Sequence, residues 1–429
     1  LTAIDGPTAR VLRTLIPSVY APTFLEFTGL AALLPLVPLI ALDLGFNVPQ
    51  SAGLTVIFGA ASFLGPIPAG RLIARLGARP ALVGTGVLLV GAGLALFALL
   101  NAALDAPSGP MERALFVALL VVIAAATQVW QLGRQSYLGT ALPPTMRARG
   151  MTLFGGVLRL GEVVGPLLGA AVMASWSIPA VFLLFAVVVG AGTALIALFL
   201  PPGERTVRTA GPGRKLPRSP ARRRLDRAVL ARMVSVGAGI APVMMARVNR
   251  PVIVPLLGAA LGLDALWISI VFGVGASVEI LLVVPAGTLM DRYGRAAAAV
   301  PCALGLGAGF VLLAVLGTLL AGRGEAAAVV ALVVPMLLIA VSNGLGSGIV
   351  MTLGIDVSPV HGRTGYLAWW NTMLGGGRLV APLLVSGITL LAPVAAAGAV
   401  TGALCLAGGA WLARTLPRVT PSGGVRGRT

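Results

Sequence analysis

Eight ionisable side chains lie inside long apolar runs, and they have the greatest capacity for chemistry: Glu26, Arg134, Arg159, Glu162, Arg247, Arg250, Glu279 and Arg378. A charge at the centre of a hydrocarbon layer costs about 2.5–3.5 kcal/mol on insertion scales, so each needs a partner or a task. Glu26 has no basic neighbour within a helical turn. Apolar surroundings make a carboxyl easier to protonate, which suits a reversible proton carrier. A structural glutamate bonded to a neighbouring helix has the same sequence signature. Arg159 stands one turn before Glu162 and can neutralise it. Arg247 and Arg250 share that spacing and one helix face, and can either pair with Glu279 or meet a charged solute. Arg134 lies about four residues from the end of its run, close enough to snorkel to a polar boundary.

Other chemistries find little support. His361 is the only histidine and falls in a connecting loop, so no metal site is expected. Cys302 and Cys405 both fall in apolar helices and offer no disulfide framework. No catalytic constellation and no cofactor motif is present, so neither an enzyme nor a cofactor is expected. Gln128, Trp130, Gln131, Asn249 and Asn371 are polar or aromatic residues in or beside the charged runs. Trp369 and Trp370 sit near the start of a run, where aromatic side chains commonly anchor a helix at the membrane boundary.

The elements that position these residues follow from composition. The chain is 58% hydrophobic and 10% charged, with a mean hydropathy of +0.99. A soluble domain of this length needs a larger polar shell. A bilayer core of about 30 Å takes about 20 apolar residues per helix. Runs of that kind occupy residues 17–44, 52–72, 80–102, 114–138, 151–174, 180–200, 233–262, 266–287, 296–321, 327–353, 366–390 and 394–413, which makes twelve spans. The eleventh and twelfth are divided only by the turn around Ala392 and Pro393.

A net charge of +18 could suggest a nucleic-acid partner, but its placement gives another reading. Of 31 Lys and Arg residues, 24 fall in segments that alternate counting assigns to one side, and only Arg113 and Arg323 fall on the other. This is the positive-inside pattern, and it predicts cytoplasmic termini and a cytoplasmic central loop. The first apolar run is too long for a cleavable signal peptide. Lys215 is the only lysine among thirty arginines, which suggests a GC-rich bacterial genome. The expected location is therefore a bacterial plasma membrane, crossed many times. The expected partners are lipid and a small molecule, with no nucleic acid, and the chain is expected to act as a monomer.

The two halves of the chain resemble each other. Pro68-Ala69-Gly70 and Pro285-Ala286-Gly287 are 217 residues apart, as are Gly77 and Gly294, Pro38 and Pro255, and Gly45 and Gly262. Leu138, Gly139, Pro144 and Gly150 match Leu353, Gly354, Pro359 and Gly365 at 215, and Pro166-Leu167-Leu168 matches Pro382-Leu383-Leu384 at 216. Several echoes at nearly one offset indicate a duplicated six-helix unit. The expected organisation is a bundle over 1–200, a basic linker over 201–232, a second bundle over 233–413 and a tail over 414–429. The linker is rich in Pro and Gly and carries ten Arg or Lys; solvation beside anionic headgroups accounts for it.

At these residues the sequence resembles the major facilitator superfamily of secondary transporters. Gly287, Asp291, Arg292, Gly294 and Arg295 match its loop pattern G-x-x-x-D-R-x-G-R in full. The first copy keeps Gly70, Arg75 and Gly77 but has Ala74 in place of the acid. The resemblance implies a gating role for this loop. Gly161, Gly165, Pro166 and Gly169 match the antiporter pattern G-x-x-x-G-P-x-x-G, in which small residues allow close helix packing and proline favours a bend.

The resemblance implies an all-α fold of two pseudo-symmetric six-helix bundles around a central cavity, with alternating access. It also implies transport coupled to protons. Glu26, Glu162 and Glu279 are the expected proton-coupling residues, Glu26 foremost, since drug antiporters of this type often carry an acid in the first helix. Arg134, Arg159, Arg247, Asn249, Arg250 and Arg378 are the expected solute-facing set. The expected function is a proton-coupled antiporter that exports small amphipathic compounds. The alternative is a proton-coupled importer of a small metabolite or organic anion, suggested by five arginines against three acids within spans. A non-transporting membrane sensor is the remote third.

Overall fold

The computed structural model describes residues 14–104, 109–142, 147–201, 226–359 and 363–419. All regular structure among them is helical. Ten helices are long and apolar enough to cross a membrane, and an eleventh is formed by two helices bent by 56°. The shorter apolar helix Ala265–Leu281 continues after one residue as Val283–Tyr293 and takes the remaining place in the order.

The first half contains α1 (Ile16–Asp43), α2 (Val48–Leu64 and Pro66–Leu76), α3 (Ala78–Leu104), α4 (Pro110–Ala141), α5 (Arg147–Ser175) and α6 (Ala180–Phe199). The second contains α7 (Arg227–Ala260), α8 (Ala265–Leu281 and Val283–Tyr293), α9 (Ala296–Leu319), α10 (Glu325–Leu345 and Ile349–Asp356), α11 (Arg363–Thr389) and α12 (Val394–Val419). The expected span boundaries agree with these helices to within a few residues, except that α8 and α12 run six residues further at their ends and α7 starts six residues earlier. The turn expected near Ala392 and Pro393 is present. Most of the 201–232 linker and the end of the tail lie outside the described residues.

Two compact units emerge. The first draws its described residues from Leu1–Asn47, Ile57–Thr209 and Ala265–Gly273, the second from Val48–Val56, Ala210–Asp264 and Val274–Thr429. In the first, α1 packs on α5 and α6, and α3 on α4 and α6. In the second, α7 packs on α11 and α12, and α9 on α10 and α12.

The duplication is visible in the backbone. Gly45 and Gly262 have φ of +81° and +82°, and Gly77 and Gly294 have +90° and +87°. These positive values close the turns after α1, α7, α2 and α8, a conformation in which glycine meets no Cβ penalty. The break in α2 after Leu64 and that in α8 after Leu281 also fall 217 residues apart. At the first break a side chain on Gly65 would meet Gln128 Cγ at 2.7 Å, so α4 packs against the bend.

The start of α7 is fixed by Asp226, whose carboxylate accepts from Ala228 N at 2.9 Å. Its own backbone N–H donates to Tyr366 Oη on α11 at 2.9 Å. Asp226→Ala removes the side-chain cap and keeps the second bond. We expect a loss of about 1 kcal/mol in unfolding free energy in detergent; an unchanged unfolding midpoint would show that the cap contributes nothing.

Candidate functional sites

Among the described residues, each unit holds a buried charge site. In the first, α1 carries Glu26 and α4 carries Arg134, and the two form an ion pair. Both are sealed, with Arg134 0% and Glu26 1% exposed. Arg134 Nε donates to the Trp130 carbonyl at 3.1 Å, and its guanidinium lies 5.0 Å from the Trp130 ring centroid. Trp130 is itself fully buried, and its indole N–H donates to the Leu82 carbonyl at 2.8 Å. Two sequence expectations are corrected here. Glu26 is not an isolated carboxyl, because its counter-ion arrives from a helix 108 residues away. Arg134 does not snorkel to a boundary but is enclosed.

In the second unit, Arg250 on α7 pairs with Glu279 on α8, as the sequence allowed. This site is less closed, with side-chain exposures of 20% and 11%. Asn343 on α10 joins it: Asn343 Nδ2 donates to Glu279 Oε2 at 2.7 Å, while Arg247 Nε donates to Asn343 Oδ1 at 2.6 Å. Arg247 Nη2 also donates to the Gly346 carbonyl at 3.1 Å. Arg378, exposed on α11, lies within electrostatic range of Arg247. Arg250 therefore meets the Glu279 carboxylate directly and Arg247 reaches it through Asn343, with Arg378 in range of Arg247.

Asn343 was missed by the sequence reading. The available signal was its position, 215 residues after Gln128 in the repeat and on the helix equivalent to α4. Asn249 is a third correction. It does not join Arg250; it is fully buried on another face of α7, where Nδ2 donates to Thr401 Oγ1 of α12 at 3.1 Å. Trp370 is a fourth. It is 2% exposed, bonded through Nε1 to the Val350 carbonyl at 3.2 Å, and so belongs to the core rather than to an interfacial belt. Arg159 is half-buried and Glu162 exposed on α5.

The loop patterns occupy the ends of α2 and α8. Gly70, Arg75 and Gly77 fall in or just after Pro66–Leu76, with Arg75 exposed. Gly287, Asp291 and Arg292 fall in Val283–Tyr293, with Gly294 and Arg295 in the turn that follows. The side chain of Asp291 lies outside the described residues. Arg295 Nε pairs with Asp356 Oδ2 at the end of α10 at 2.9 Å, and Arg295 Nη1 donates to the Met290 carbonyl at 3.2 Å. Arg292 stacks 5.4 Å from the Tyr293 ring centroid.

The glycines of α5 lie along α1. A side chain on Gly161 would meet Phe27 Cβ at 2.8 Å and Thr28 N at 2.9 Å, one on Gly165 would overlap the Thr28 carbonyl, and one on Gly169 would meet Ala32 Cβ at 3.3 Å. Pro166 is buried within α5 beside them. These residues set the approach of α5 to the helix that carries Glu26.

Among the described residues no group of acids, cysteines and histidines could hold a metal. No curated protein matches the sequence. Solved structures share the fold at low identity. A peptide transporter POT in complex with sulfate is 16% identical, with TM-score 0.72, and the match covers 96% of this chain and 95% of that one. A POT family transporter in complex with 5-aminolevulinic acid is 13% identical, with TM-score 0.69, covering 96% and 97%. The family model of the Major Facilitator Superfamily matches residues 20–382. The bent, duplicated helices, the repeated positive-φ glycines and this match agree: the chain belongs to the Major Facilitator Superfamily.

Proposed function

We propose that the chain is a proton-coupled secondary transporter of a small solute with an anionic group, and that Glu279 is its proton site. The observation that carries this reading is the partly open Arg250–Glu279 pair, with Arg247 linked to the same carboxylate through Asn343 and Arg378 in electrostatic range of Arg247. With Glu279 ionised, Arg250 is held by its partner. A proton on the Glu279 carboxylate removes the negative charge, loosens its hold on Arg250 and leaves an excess of positive charge that an anion can satisfy. Proton and solute then favour each other's binding, which is the sign of coupling a symporter needs. The sulfate and 5-aminolevulinic acid in the solved complexes each carry an anionic group as well, in keeping with this solute class.

On this reading the chain acts as a monomer in a bacterial plasma membrane with both termini in the cytoplasm, an orientation supported by the arginine asymmetry. Export by exchange with protons is the second reading, favoured by the G-x-x-x-G-P-x-x-G match in α5. The two differ in sign, because exchange requires proton and solute to compete.

The test is flux in proteoliposomes with a panel of labelled carboxylates, phosphonates and amphipathic cations. We expect an anion to accumulate when the opposite compartment is acid. Glu279→Gln should abolish uphill accumulation and leave exchange of internal for external solute. A Glu279→Gln protein that still concentrates solute would place the proton site elsewhere. Outward movement of an amphipathic cation against inward proton flux would favour the exchange reading.

A further inference from the structure

A continuous set of bonds in the second unit runs from Glu279 to the end of the loop Gly287–Arg295, by way of a break in α10. The helix stops at Leu345 and restarts at Ile349, with Gly348 between at φ +79°. The break frees backbone groups that an unbroken helix would use. The Gly346 carbonyl accepts a long bond from Ile349 N at 3.3 Å, and Arg247 Nη2 adds a second donor to it at 3.1 Å. The Cys302 thiol occupies the space where a Gly346 side chain would stand, so the backbone sits close against α9 here. Beyond the break, Trp370 holds the short helix Ile349–Asp356 through the Val350 carbonyl and packs against Gly354, where an added Cβ would stand 2.7 Å from the indole ring. That helix ends at Asp356, which pairs with Arg295.

We propose that Arg247 is a positioning residue that reports the charge of Glu279 to the break in α10. The inference rests on the reading that Glu279 is the proton site. Its chemistry lies in Asn343, whose amide has one accepting and one donating end. While Glu279 is ionised, Oε2 accepts from Asn343 Nδ2, which aims Oδ1 at Arg247. A proton taken from water onto Oε2 turns that acceptor into a donor. The amide then loses its partner and reorients, and Arg247 keeps only the Gly346 carbonyl and the Cys302 thiol. The grip on the break changes, and Ile349–Asp356 moves with its hold on Arg295. The groups facing Glu279 are Arg250 and Asn343 directly, with Cys302 in electrostatic range; Arg247 faces Cys302 and Arg378 as well.

Two exposed positions flank the break, Val334 before it and Met351 after it. Val334→Cys and Met351→Cys can carry spin labels while Cys302 and Cys405, both 0% exposed, stay native. The measurement is the distance distribution between the labels in the full-length protein in nanodiscs. We expect Glu279→Gln to shift its maximum. Adding Arg247→Gln should broaden the distribution and erase that shift, and Arg247→Lys, which keeps the charge but cannot bridge both acceptors, should restore it only in part. Asn343→Ala should erase the shift with Arg247 intact, and it serves if Arg247→Gln does not fold. A distribution that ignores Glu279→Gln, or one that responds equally with and without Arg247, would overturn the proposal. Failure of the transport reading is seen separately, as uphill flux that survives Glu279→Gln.

Discussion

Glu26→Gln is expected to lower the stability of the protein by about 3–5 kcal/mol, the range for breaking a buried ion pair from one side. Arg134 is 0% exposed and has no route to water. Its Nε is committed to the Trp130 carbonyl, and among the described residues its Nη1 has no hydrogen-bond partner. The Trp130 ring offers only a modest attraction to the cation. A glutamine can accept one hydrogen bond but leaves the guanidinium charge uncompensated. Arg134→Met alone leaves a buried carboxylate and should fail similarly, unless the acid takes up a proton. Combining Glu26→Gln with Arg134→Met removes both charges. Such paired replacements are often neutral or stabilising by about 1–4 kcal/mol, so the double variant should recover most of the loss. Unfolding in detergent, read for the parent, both single variants and the double, checks this. If Glu26→Gln unfolds with the parent, the pair does not hold α1 to α4. The sequence alone led to a different expectation for this substitution: a folded protein that had lost only its coupling.

Gly165→Ala should have the next largest effect. The added methyl would overlap the Thr28 carbonyl of α1 and come within 2.8 Å of Ala31 Cβ. Backbone atoms cannot turn aside as a flexible side chain can, so α5 must move off α1. Inserting a methylene or methyl into a packed core costs about 1–3 kcal/mol. Gly169→Ala meets Ala32 Cβ at 3.3 Å and should cost less. Gly84→Ala meets nothing within 4 Å and should be neutral or slightly stabilising, since alanine is the better helix former. The order Gly165, Gly169, Gly84 in unfolding midpoint is the expected result. Equal effects at all three would mean that the α5 glycines do not set this contact.

How much was legible follows from the range of each interaction. The helices were legible because hydropathy is a local property, and a bilayer-length run needs no knowledge of its neighbours. The repeat was legible because glycines with positive φ recur where the backbone turns, at Gly45 and Gly262 and at Gly77 and Gly294. The Arg250–Glu279 pair could be anticipated because only 29 residues and one turn separate its members. The Glu26–Arg134 pair could not, since nothing within a turn of Glu26 marks α4 as its neighbour. Asn249 and Asn343 show the same limit. Both are single amides in apolar helices, and which one meets the arginines depends on helix rotation. That rotation is set by packing: Asn249 faces Thr401 on α12, and Asn343 faces Glu279 on α8.

The spacing of the two buried ion pairs also bears on how the chain is made. Arg134 follows Glu26 by 108 residues. At about 5–20 residues per second of synthesis, α1 is complete for roughly 5–20 s before its counter-ion exists. Throughout that interval its carboxyl must stay near water, take up a proton or be sheltered by the insertion apparatus. Arg250 waits for Glu279 over only 29 residues, a delay of roughly 2–6 s. The first half is therefore the hazardous part of biogenesis. A ribosome stalled or slowed between α1 and α4 exposes an unpaired acid, whereas the same pause in the second half leaves a cation unpaired for a shorter stretch of chain.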